Sequence, residues 1–566
     1  MTWFPSDRAT RRRIYMTALI NIISGLYVGY SIGFPAVYMT YNQLSTDCET
    51  YLTTEACLAN SQAECVWSSF ENNNVSAVPM CRFSDLVNCS IATTEDECGA
   101  LPGSSCTYSN KKCSHVHGWN AKEQGVFAAS MIIGGTVGAL PIGTIMDRIG
   151  RPRSFLLLGA FSSISCGLMH LGCYLTNFPF FVVANALAGM PIGAIQVLAP
   201  MYVGEMTPAA WSLHVGILIQ VGITFGIFMM GVYGFAVKPS DEMMHEGASY
   251  DVYFQITIAG LLFLSLVVGA IGFLIPESVH YLQLIGAARE EDENGADDES
   301  AAILQKGDDV AQNRKQNDVD IINTNAQPTS SSGAATFAAY SNLPFDTNET
   351  TCFGWRKTHV LCFVVSTATS ACLSLTGINS FIVYAPVIMQ SAGMSSLAGN
   401  LIVDGWNFVT TLVSLPLAFR CNTTQMFNVG AVLVTGTCVI SGVLLYPGVI
   451  VDETVRNWIL IFAVLMFIAA FEIGMATGYY VIAQALFPSD ARSIGTGYTI
   501  AIQYLFNVMI IFLYPVGLDA FSPGDGSGST QRGMSVWLLI YGSIGVVTTI
   551  LLIKYLGNAQ YIAAIL

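Results

Sequence analysis

Charged residues are scarce in this sequence: Lys, Arg, Asp and Glu make up 11% of its 566 residues, and 53% of the residues are hydrophobic. A soluble chain carries roughly a quarter charged residues, so this composition excludes a soluble globular protein. The net charge of −15 comes mostly from loops such as the acidic run 290–299, and it indicates no nucleic-acid partner. The sequence also lacks a nucleotide-binding loop, a metal-ligand cluster and a nucleophile constellation, so we expect neither an enzyme nor a cofactor.

Long apolar runs take the place of the missing charge. Twelve of them reach the roughly 20 residues that a helix needs to cross a bilayer. They lie at 14–41, 124–146, 154–175, 179–203, 211–237, 251–275, 358–390, 397–419, 426–446, 457–487, 493–518 and 534–556. The first run is long enough to span and follows three arginines, so it is not a removable signal peptide. These runs predict an all-α membrane protein with twelve transmembrane helices.

The order of the runs predicts two six-helix halves. The N-terminal half covers 14–275, the C-terminal half covers 358–556, and short tails occupy 1–13 and 557–566. Between the halves, the acidic and polar linker 276–357 cannot bury enough apolar surface to offset chain entropy, so we expect it to be largely disordered. Basic residues are concentrated in the N-terminal tail, in alternate loops and at the end of the last run, which predicts cytoplasmic termini. We expect the plasma membrane as the location.

The predicted extracellular loop 42–119 holds an even set of cysteines with an internal duplication. The spacing C-x8-C-x7-C that starts at Cys48 is repeated from Cys89. An even set in a polar loop predicts disulfides, here two stapled units that are each closed by a fourth cysteine. Metal binding is the rival interpretation, and the absence of a C-x-x-C knuckle disfavours it. The cysteines are Cys48, Cys57, Cys65, Cys81, Cys89, Cys98, Cys106 and Cys113. Sequons at Asn74 and Asn88 predict glycosylation.

A short charged turn joins the second and third runs. Residues 143–153 read Gly-Thr-Ile-Met-Asp-Arg-Ile-Gly-Arg-Pro-Arg, with Asp147 and Arg148 between two glycines and Arg151 directly after the second. This pattern resembles the signature loop of the major facilitator superfamily. The resemblance implies a fold of two helical halves that rock about a central site, with the three charged residues acting in gating.

Further motifs resemble the sugar porters of that superfamily. Residues 200–208 read Pro-Met-Tyr-Val-Gly-Glu-Met-Thr-Pro, residues 276–278 read Pro-Glu-Ser, and residues 375–379 read Leu-Thr-Gly-Ile-Asn. Residues 471–474, with Pro488 and Arg492, resemble the end of the family's tenth span. Together with the cysteine-rich loop, the stretches 376–386 and 406–410 most resemble the kinetoplastid hexose transporters. The family implies a neutral sugar substrate, a bilayer setting and a monomeric transport unit.

Neutral amides and hydroxyls are the groups that match a ring of sugar hydroxyls without trapping an ion. Gln220, Asn379 and Asn407 match positions where this family contacts sugar. Ser374 stands where the family has a glutamine, and the remaining candidates lie in the tenth and eleventh spans: Tyr480, Gln503 and Asn507. For each of them, a hydrogen bond that joins two helices of the bundle is the alternative.

Departures from the family pattern concern its charges and its paired glutamines. Leu373 and Ser374 replace two glutamines, and Asn185 and Ser212 replace two arginines, which leaves Glu205 without the partners that the resemblance implies. The candidates that remain for closing the cytoplasmic side are Asp147, Arg148, Arg151, Glu205, Glu472 and Arg492. Gly377 and Pro386 interrupt the seventh span and are expected to bend its outer part over bound substrate.

Energy coupling depends on a first-span residue. Proton-driven sugar porters carry an aspartate where this chain has Ser31, and serine cannot titrate. The sequence therefore predicts facilitated diffusion of a hexose of the glucose or fructose class. A proton-coupled symporter of sugar, polyol or myo-inositol and a transporter-like nutrient sensor remain the alternatives.

The disulfide prediction can be tested directly. We expect non-reducing mass spectrometry of the folded protein to find no free thiol between Cys48 and Cys113. Cys57→Ser should impair folding by roughly 2 to 5 kcal/mol, because the loop then loses a native crosslink. Free labelling of the loop thiols in the folded protein would contradict the prediction.

Overall fold

In a computed structural model of the chain, twelve helices are long and apolar enough to cross a membrane within the described residues, which confirms the predicted number. The described residues are 7–42, 65–71, 74–83, 106–109, 112–115, 121–175, 178–236, 252–278, 281–282, 285–286, 357–384, 388–389, 396–418, 420–450, 452–487, 491–521 and 527–556. Most of the predicted linker 276–357 lies outside them, as do Asn88, Pro386, Pro488 and four of the loop cysteines.

Nine of the twelve helices are continuous, and three consist of consecutive pieces. They are α1 (Arg8–Asn42), α2 (Ala121–Ile149), α3 (Arg151–Leu175), α4 (Phe178–Met206), α5 (Ala209–Gly216 and Leu218–Ala236), α6 (Val252–Leu274), α7 (Lys357–Leu375 and Ile378–Val383), α8 (Ser396–Ala418), α9 (Thr423–Leu444), α10 (Glu453–Ala470, a π-helical segment Phe471–Ala476, and Thr477–Ala485), α11 (Arg492–Phe521) and α12 (Ser527–Leu556).

The two halves repeat the same packing. In the N-terminal half α1 packs on α5, α2 on α4 and α3 on α6; in the C-terminal half α7 packs on α11, α8 on α10 and α9 on α12. Two further pairs, α2 with α11 and α5 with α8, join the halves. This is the arrangement expected of parallel repeats, in which the space between the halves lies between matching faces.

Glycines allow α2 and α4 to touch backbone to backbone. A Cβ placed on Gly138 would fall on the main chain of Met190, and one on Gly193 would fall on that of Gly135. Such close approach is what small residues allow between helices in a membrane. These glycines therefore hold α2 and α4 in direct backbone contact within the N-terminal half.

The outward surface of the bundle is apolar. Phe263 and Ile164 are more than 60% exposed, and many other large aliphatic and aromatic side chains on the spanning helices are exposed as well. A contiguous apolar surface of this kind marks contact with a partner or a membrane. Because these side chains occur on spans in both halves, the surface fits a bilayer.

The helices alternate in direction, so the bundle has two ends. We call the end that carries Arg151 and Arg492 the basic end, and the opposite end, from which the segment 43–120 extends, the loop end. At the basic end Gly150 has a φ of 90°, in the left-handed region that favours glycine, which lets α2 turn at once into α3. At the loop end the side chain of Asp452 caps α10 by accepting from the Val455 N–H at 3.0 Å.

Arg151 organises the basic end. Its side chain is fully buried, with Nη2 2.6 Å from Glu205 Oε1 and Nε 2.9 Å from Glu205 Oε2, a bidentate pair. Nη2 also lies 3.0 Å from Asp147 Oδ1. The expectation that Glu205 lacks its partners was wrong, because the turn between α2 and α3 supplies the charge that the substituted arginines would have supplied.

Glu277, just beyond α6, joins the same cluster. Its Oε1 accepts hydrogen bonds from the backbone N–H groups of Arg151 at 2.9 Å and Ser278 at 3.1 Å. Burial nevertheless raises the pKa of Glu277, because these bonds and the Arg151 charge offset only part of the lost hydration. Two acids, from α2 and α4, thus contact the guanidinium of Arg151, and a third, from the segment after α6, accepts from its backbone N–H.

The cysteine-rich segment contains two antiparallel hairpins with the same register. Strands β1 (Cys65–Glu71) and β2 (Asn74–Phe83) pair with Trp67 opposite Cys81, and β3 (Cys106–Ser109) and β4 (Lys112–His115) pair with Tyr108 opposite Cys113. Trp67 lies two residues after Cys65, and Tyr108 lies two residues after Cys106. The two cysteines of each hairpin therefore have the same relative register. This equivalence supports the duplication seen in the sequence, while the disulfide pairing stays a prediction.

The buried ion pair predicts a large effect of one substitution. Arg151→Gln leaves the carboxylate of Glu205 buried without a charge partner, which costs roughly 3 to 5 kcal/mol. We expect a clear fall in the thermal unfolding temperature of the detergent-solubilised protein. Arg148→Gln is the matched control, since Arg148 is exposed and adjacent in the same turn. Equal unfolding temperatures for the two variants would contradict this role of Arg151.

Candidate functional site

A cavity lies between the two halves near the middle of the spans. Its volume is about 1060 Å³ including its opening, and eight helices line its wall.

 The N-terminal half contributes α1, α2, α4 and α5, and the C-terminal half contributes α7, α8, α10 and α11. A pocket shared equally by two packed halves is enclosed or opened by their relative movement.

All seven residues predicted to bind substrate line this one cavity. Gln220 comes from α5, Asn407 from α8 and Tyr480 from α10, while α7 and α11 supply two residues each. The residues from α7 and α11 are Ser374, Asn379, Gln503 and Asn507. The sequence places them up to 287 positions apart, between Gln220 and Asn507, and the fold brings them together.

Local breaks in the helices place two of the polar groups. Gly377 has a φ of 97° and separates the two pieces of α7, so Asn379 lies in a new helical turn rather than on the continuation of the first piece. The π-helical segment Phe471–Ala476 in α10 contains Glu472. Such segments are frequently found at functional sites, and here both breaks lie at the cavity wall.

In the described part of the chain, three amide oxygens at the cavity are without a hydrogen-bond partner. These are Asn407 Oδ1, Gln503 Oε1 and Asn507 Oδ1, and all three atoms are buried. Leaving such an acceptor unpaired costs about 1 to 3 kcal/mol. A ligand that brings hydroxyl donors would recover that free energy, so the site is suited to a neutral polyhydroxyl compound.

The rest of the wall is largely apolar. Ile223, Ile378, Leu373 and Phe471 are among the lining residues. Leu373 therefore presents a hydrocarbon surface where the family pattern has a glutamine. Ser374, at the position of the second glutamine, donates to the Gln503 carbonyl oxygen at 3.3 Å. Its hydroxyl is thereby tied to α11.

Glu472 lies at the cavity and not at the basic end, which corrects the prediction that it helps to close the cytoplasmic side. Its Oε2 accepts from Gln220 Nε2 and from Thr411 Oγ1, each at 3.0 Å. The sequence motif identified the residue but not its depth, since α10 continues beyond it to Ala485, about three and a half turns further. Gln220 and Glu472 thus join α5 to α10 across the two halves.

Gln196 is a cavity residue that the sequence analysis did not select. Its Nε2 donates to Tyr504 Oη at 2.8 Å, and its Oε1 accepts from Tyr480 Oη at 3.1 Å. One amide from α4 therefore bonds two helices of the opposite half. An amide within the apolar run of the fourth span was the signal available in the sequence.

Ser31 and Asn185, two neutral residues where the family pattern has charged ones, both form hydrogen bonds within the N-terminal half. Ser31 donates to the Tyr27 carbonyl oxygen at 2.8 Å, one turn back in α1. Asn185 donates to the Phe127 carbonyl oxygen at 3.0 Å and to Ser130 Oγ at 2.9 Å, so it links α4 to α2. Both side chains are fully buried, and neither carries a charge.

The other predicted gating residues lie at the basic end. Asp147 Oδ1 accepts from Ser493 Oγ at 3.1 Å, a contact between the halves, and Arg492 donates to the Phe487 carbonyl oxygen at 3.5 Å. Arg148 is exposed. Arg151 and Glu205 pair within the N-terminal half. The structure thus brings Asp147, Arg151 and Glu205 together but keeps Arg148 and Glu472 apart from them.

Among the residues that the structure describes, no group of three or more His, Cys, Asp or Glu side chains is placed to hold a metal ion. The polar groups that the described residues bring to the cavity are amides, hydroxyls and one carboxyl, and none of these lining residues is basic. The arrangement can bind a neutral ligand by hydrogen bonds and apolar contacts.

Comparison with known proteins gives consistent matches along the chain. A family model described as "Sugar (and other) transporter" matches residues 17–554. "Glucose transporter 2A" of Trypanosoma brucei brucei is 28% identical over 540 residues, which cover 95% of this chain and 87% of the relative. "Glucose transporter HT1" of Trypanosoma vivax is 30% identical over 538 residues, which cover 95% of this chain and 83% of the relative.

A solved structure shares the fold. The major facilitator superfamily proton:xylose symporter XylE, bound to 6-bromo-6-deoxy-D-glucose, superposes with a TM-score of 0.61. The match covers 96% of each chain at 18% sequence identity. At that identity the likeness establishes the major facilitator fold, and the sequence motifs and family model carry the rest of the comparison.

Proposed function

The chain belongs to the family of sugar (and other) transporters, and from that premise we propose that it moves a hexose across a membrane by facilitated diffusion. It is an integral membrane protein with twelve spanning helices. The relatives named above as glucose transporters support a hexose as the substrate. A membrane sugar carrier binds its substrate without changing it, in keeping with a cavity of amides and hydroxyls.

The observation that carries this proposal is the set of three unpaired amide oxygens at the cavity. Asn407, Gln503 and Asn507 each offer an acceptor to a sugar hydroxyl. The apolar wall accommodates the C–H faces of the ring, and no basic side chain among the described lining residues is available to hold an anionic substrate. Gln220, Asn379, Ser374 and Tyr480 are the further polar groups that we assign to binding.

Alternating access follows from where the cavity lies. Both halves line it, and contacts such as Gln220 with Glu472 and Asp147 with Ser493 join them. Rocking of the halves would break one set of contacts while the other holds, which exposes the cavity to one side at a time. We assign Asp147, Arg151, Glu205 and Arg492 to holding the basic end shut, and Gly377 to bending α7.

The orientation and location are also proposals. We place the basic end and both termini in the cytoplasm, because basic residues favour that side. The loop end, with its glycosylated and disulfide-bonded segment, then faces outward. The plasma membrane is the location that suits uptake of external sugar.

Passive transport is favoured by the two neutral residues Ser31 and Asn185, which are bonded within the N-terminal half. Proton coupling is the second candidate, and Glu472 is the observation in its favour. It is a carboxyl at the cavity, it is only 1% exposed, and it bonds to a residue that we assign to substrate binding. A carboxyl at that place can couple a proton to sugar only if its protonation changes within each cycle.

Flux through purified protein tests the proposed function. In proteoliposomes we expect labelled glucose or fructose to equilibrate without accumulating, and a protonophore to leave the final level unchanged, because no proton moves with the sugar. Liposomes without protein are the control. No flux would contradict the transporter proposal, whereas severalfold accumulation under an imposed pH gradient would replace it with symport through Glu472.

A substitution in the cavity tests the site. Asn507→Leu replaces the amide with an apolar side chain of similar size and so removes the acceptor. We expect sugar binding to weaken by about 1 to 3 kcal/mol, measured as a rise in the Kd or in the sugar concentration that half-saturates exchange. Asn428→Leu is the matched control, since Asn428 also has a buried unpaired Oδ1 but does not line the cavity. Equal affinities for the two variants would remove Asn507 from the site.

A further inference from the structure

A buried acid in the contact between the halves has no place in the mechanism described so far. Asp404 lies in α8, about 12 Å along the helix from its loop-end start at a rise of 1.5 Å per residue. Asp404 is only 3% exposed. An ionisable group inside a spanning segment is costly, so it calls for a functional explanation and a named partner.

Asp404 belongs to a buried polar stripe on one face of α8. Positions at intervals of three and four residues lie on the same face of a helix, and five such positions in α8 are polar and buried. They are Asn400, Asp404, Asn407, Thr411 and Ser414. The stripe runs from the loop end, through the cavity residue Asn407, to Thr411, which donates to Glu472. Asp404 is the only ionisable member of the stripe.

The carboxyl of Asp404 fits against α5 of the other half. A Cβ placed on Gly231 would fall 2.5 Å from Asp404 Oδ2, so the missing side chain at Gly231 makes room for the carboxyl. Its one recorded side-chain bond is with Asn400, whose Nδ2 donates to Oδ2 at 2.9 Å. Phe228, one turn from Gly231, stacks on Phe408, which keeps this part of the α5–α8 contact apolar.

No described charged group compensates Asp404. The titratable or charged side chains of α5 and α10, the elements that pack on α8, are His214, Tyr233, Glu453, Arg456, Glu472, Tyr479 and Tyr480. None of the ion pairs found among the described residues involves Asp404. A buried carboxylate with a single neutral donor is strongly disfavoured relative to the protonated acid.

We propose that Asp404 is a proton-binding site that is loaded when α5 and α8 close at the loop end and is emptied to that same side when they part. Closure removes water from the carboxyl, which favours its neutral form. Separation of the two helices rehydrates it and favours the ionised form. The proton therefore enters and leaves at the loop end, and it does not cross the membrane with the substrate.

This site makes the conformational equilibrium depend on pH at one side. Protonation stabilises the closed contact, so acid on the loop-end side holds it shut, and a rise in pH there favours opening. One proton changes such an equilibrium by at most about tenfold per pH unit. The direction of the effect rests on the proposed function and orientation, in which sugar enters from the loop end.

The test uses whole cells that express the full chain and lack other sugar carriers, with outer pH varied and inner pH held constant. We expect uptake by the wild type to rise with outer pH, by up to about tenfold per unit, and uptake by Asp404→Asn to be independent of outer pH. Asp452→Asn is the matched control, because Asp452 is an exposed aspartate at the same end, and it should retain the wild-type profile.

Two further measurements keep the test decisive if Asp404→Asn does not fold. Infrared spectroscopy of the purified wild type should show a protonated carboxylic acid band that titrates with pH. Asn400→Leu removes the donor to the carboxyl, which favours the protonated form, and should shift both the band and the uptake profile to higher pH. Profiles that are unchanged in Asp404→Asn or in Asn400→Leu would overturn the proposal. Absence of uptake at every pH would instead contradict the proposed function.

Discussion

Hydrogen bonding inside an apolar bundle is the constraint on which the rest of this structure depends. A polar group among spanning helices has no water to bond, so it needs a protein partner, a ligand or a neutral state. Arg151 meets this condition with two carboxylates, and Gln196 meets it with two tyrosine hydroxyls. The groups that remain unpaired are therefore informative, and three of them lie at the central cavity.

Much of the fold could be predicted from the sequence because its signals are local. Span length and hydrophobicity predicted the number of spanning helices. The seven polar residues assigned to binding also meet at one cavity, since an amide in an apolar run has few reasons to be there. Their role in binding remains a proposal.

What the sequence could not provide was the partner of each charge and its depth in the bundle. Glu205 seemed to lack a partner because the family's arginines are replaced, yet Arg151 reaches it from the turn between α2 and α3. Glu472 was assigned to the wrong end, since a motif fixes position along the chain but not along the membrane axis. Both errors concern contacts between helices, which no local pattern records.

The backbone contact between α2 and α4 has a mechanical consequence. Because Gly138 and Gly193 leave no side-chain layer between these helices, no flexible side chains lie there that could rearrange when force is applied. With Arg151 holding their basic ends together, the N-terminal half can behave as a stiff lever. Movement of the halves is then concentrated in the α2–α11 and α5–α8 contacts. A small molecule bound in either contact would slow transport without competing with the substrate for the cavity.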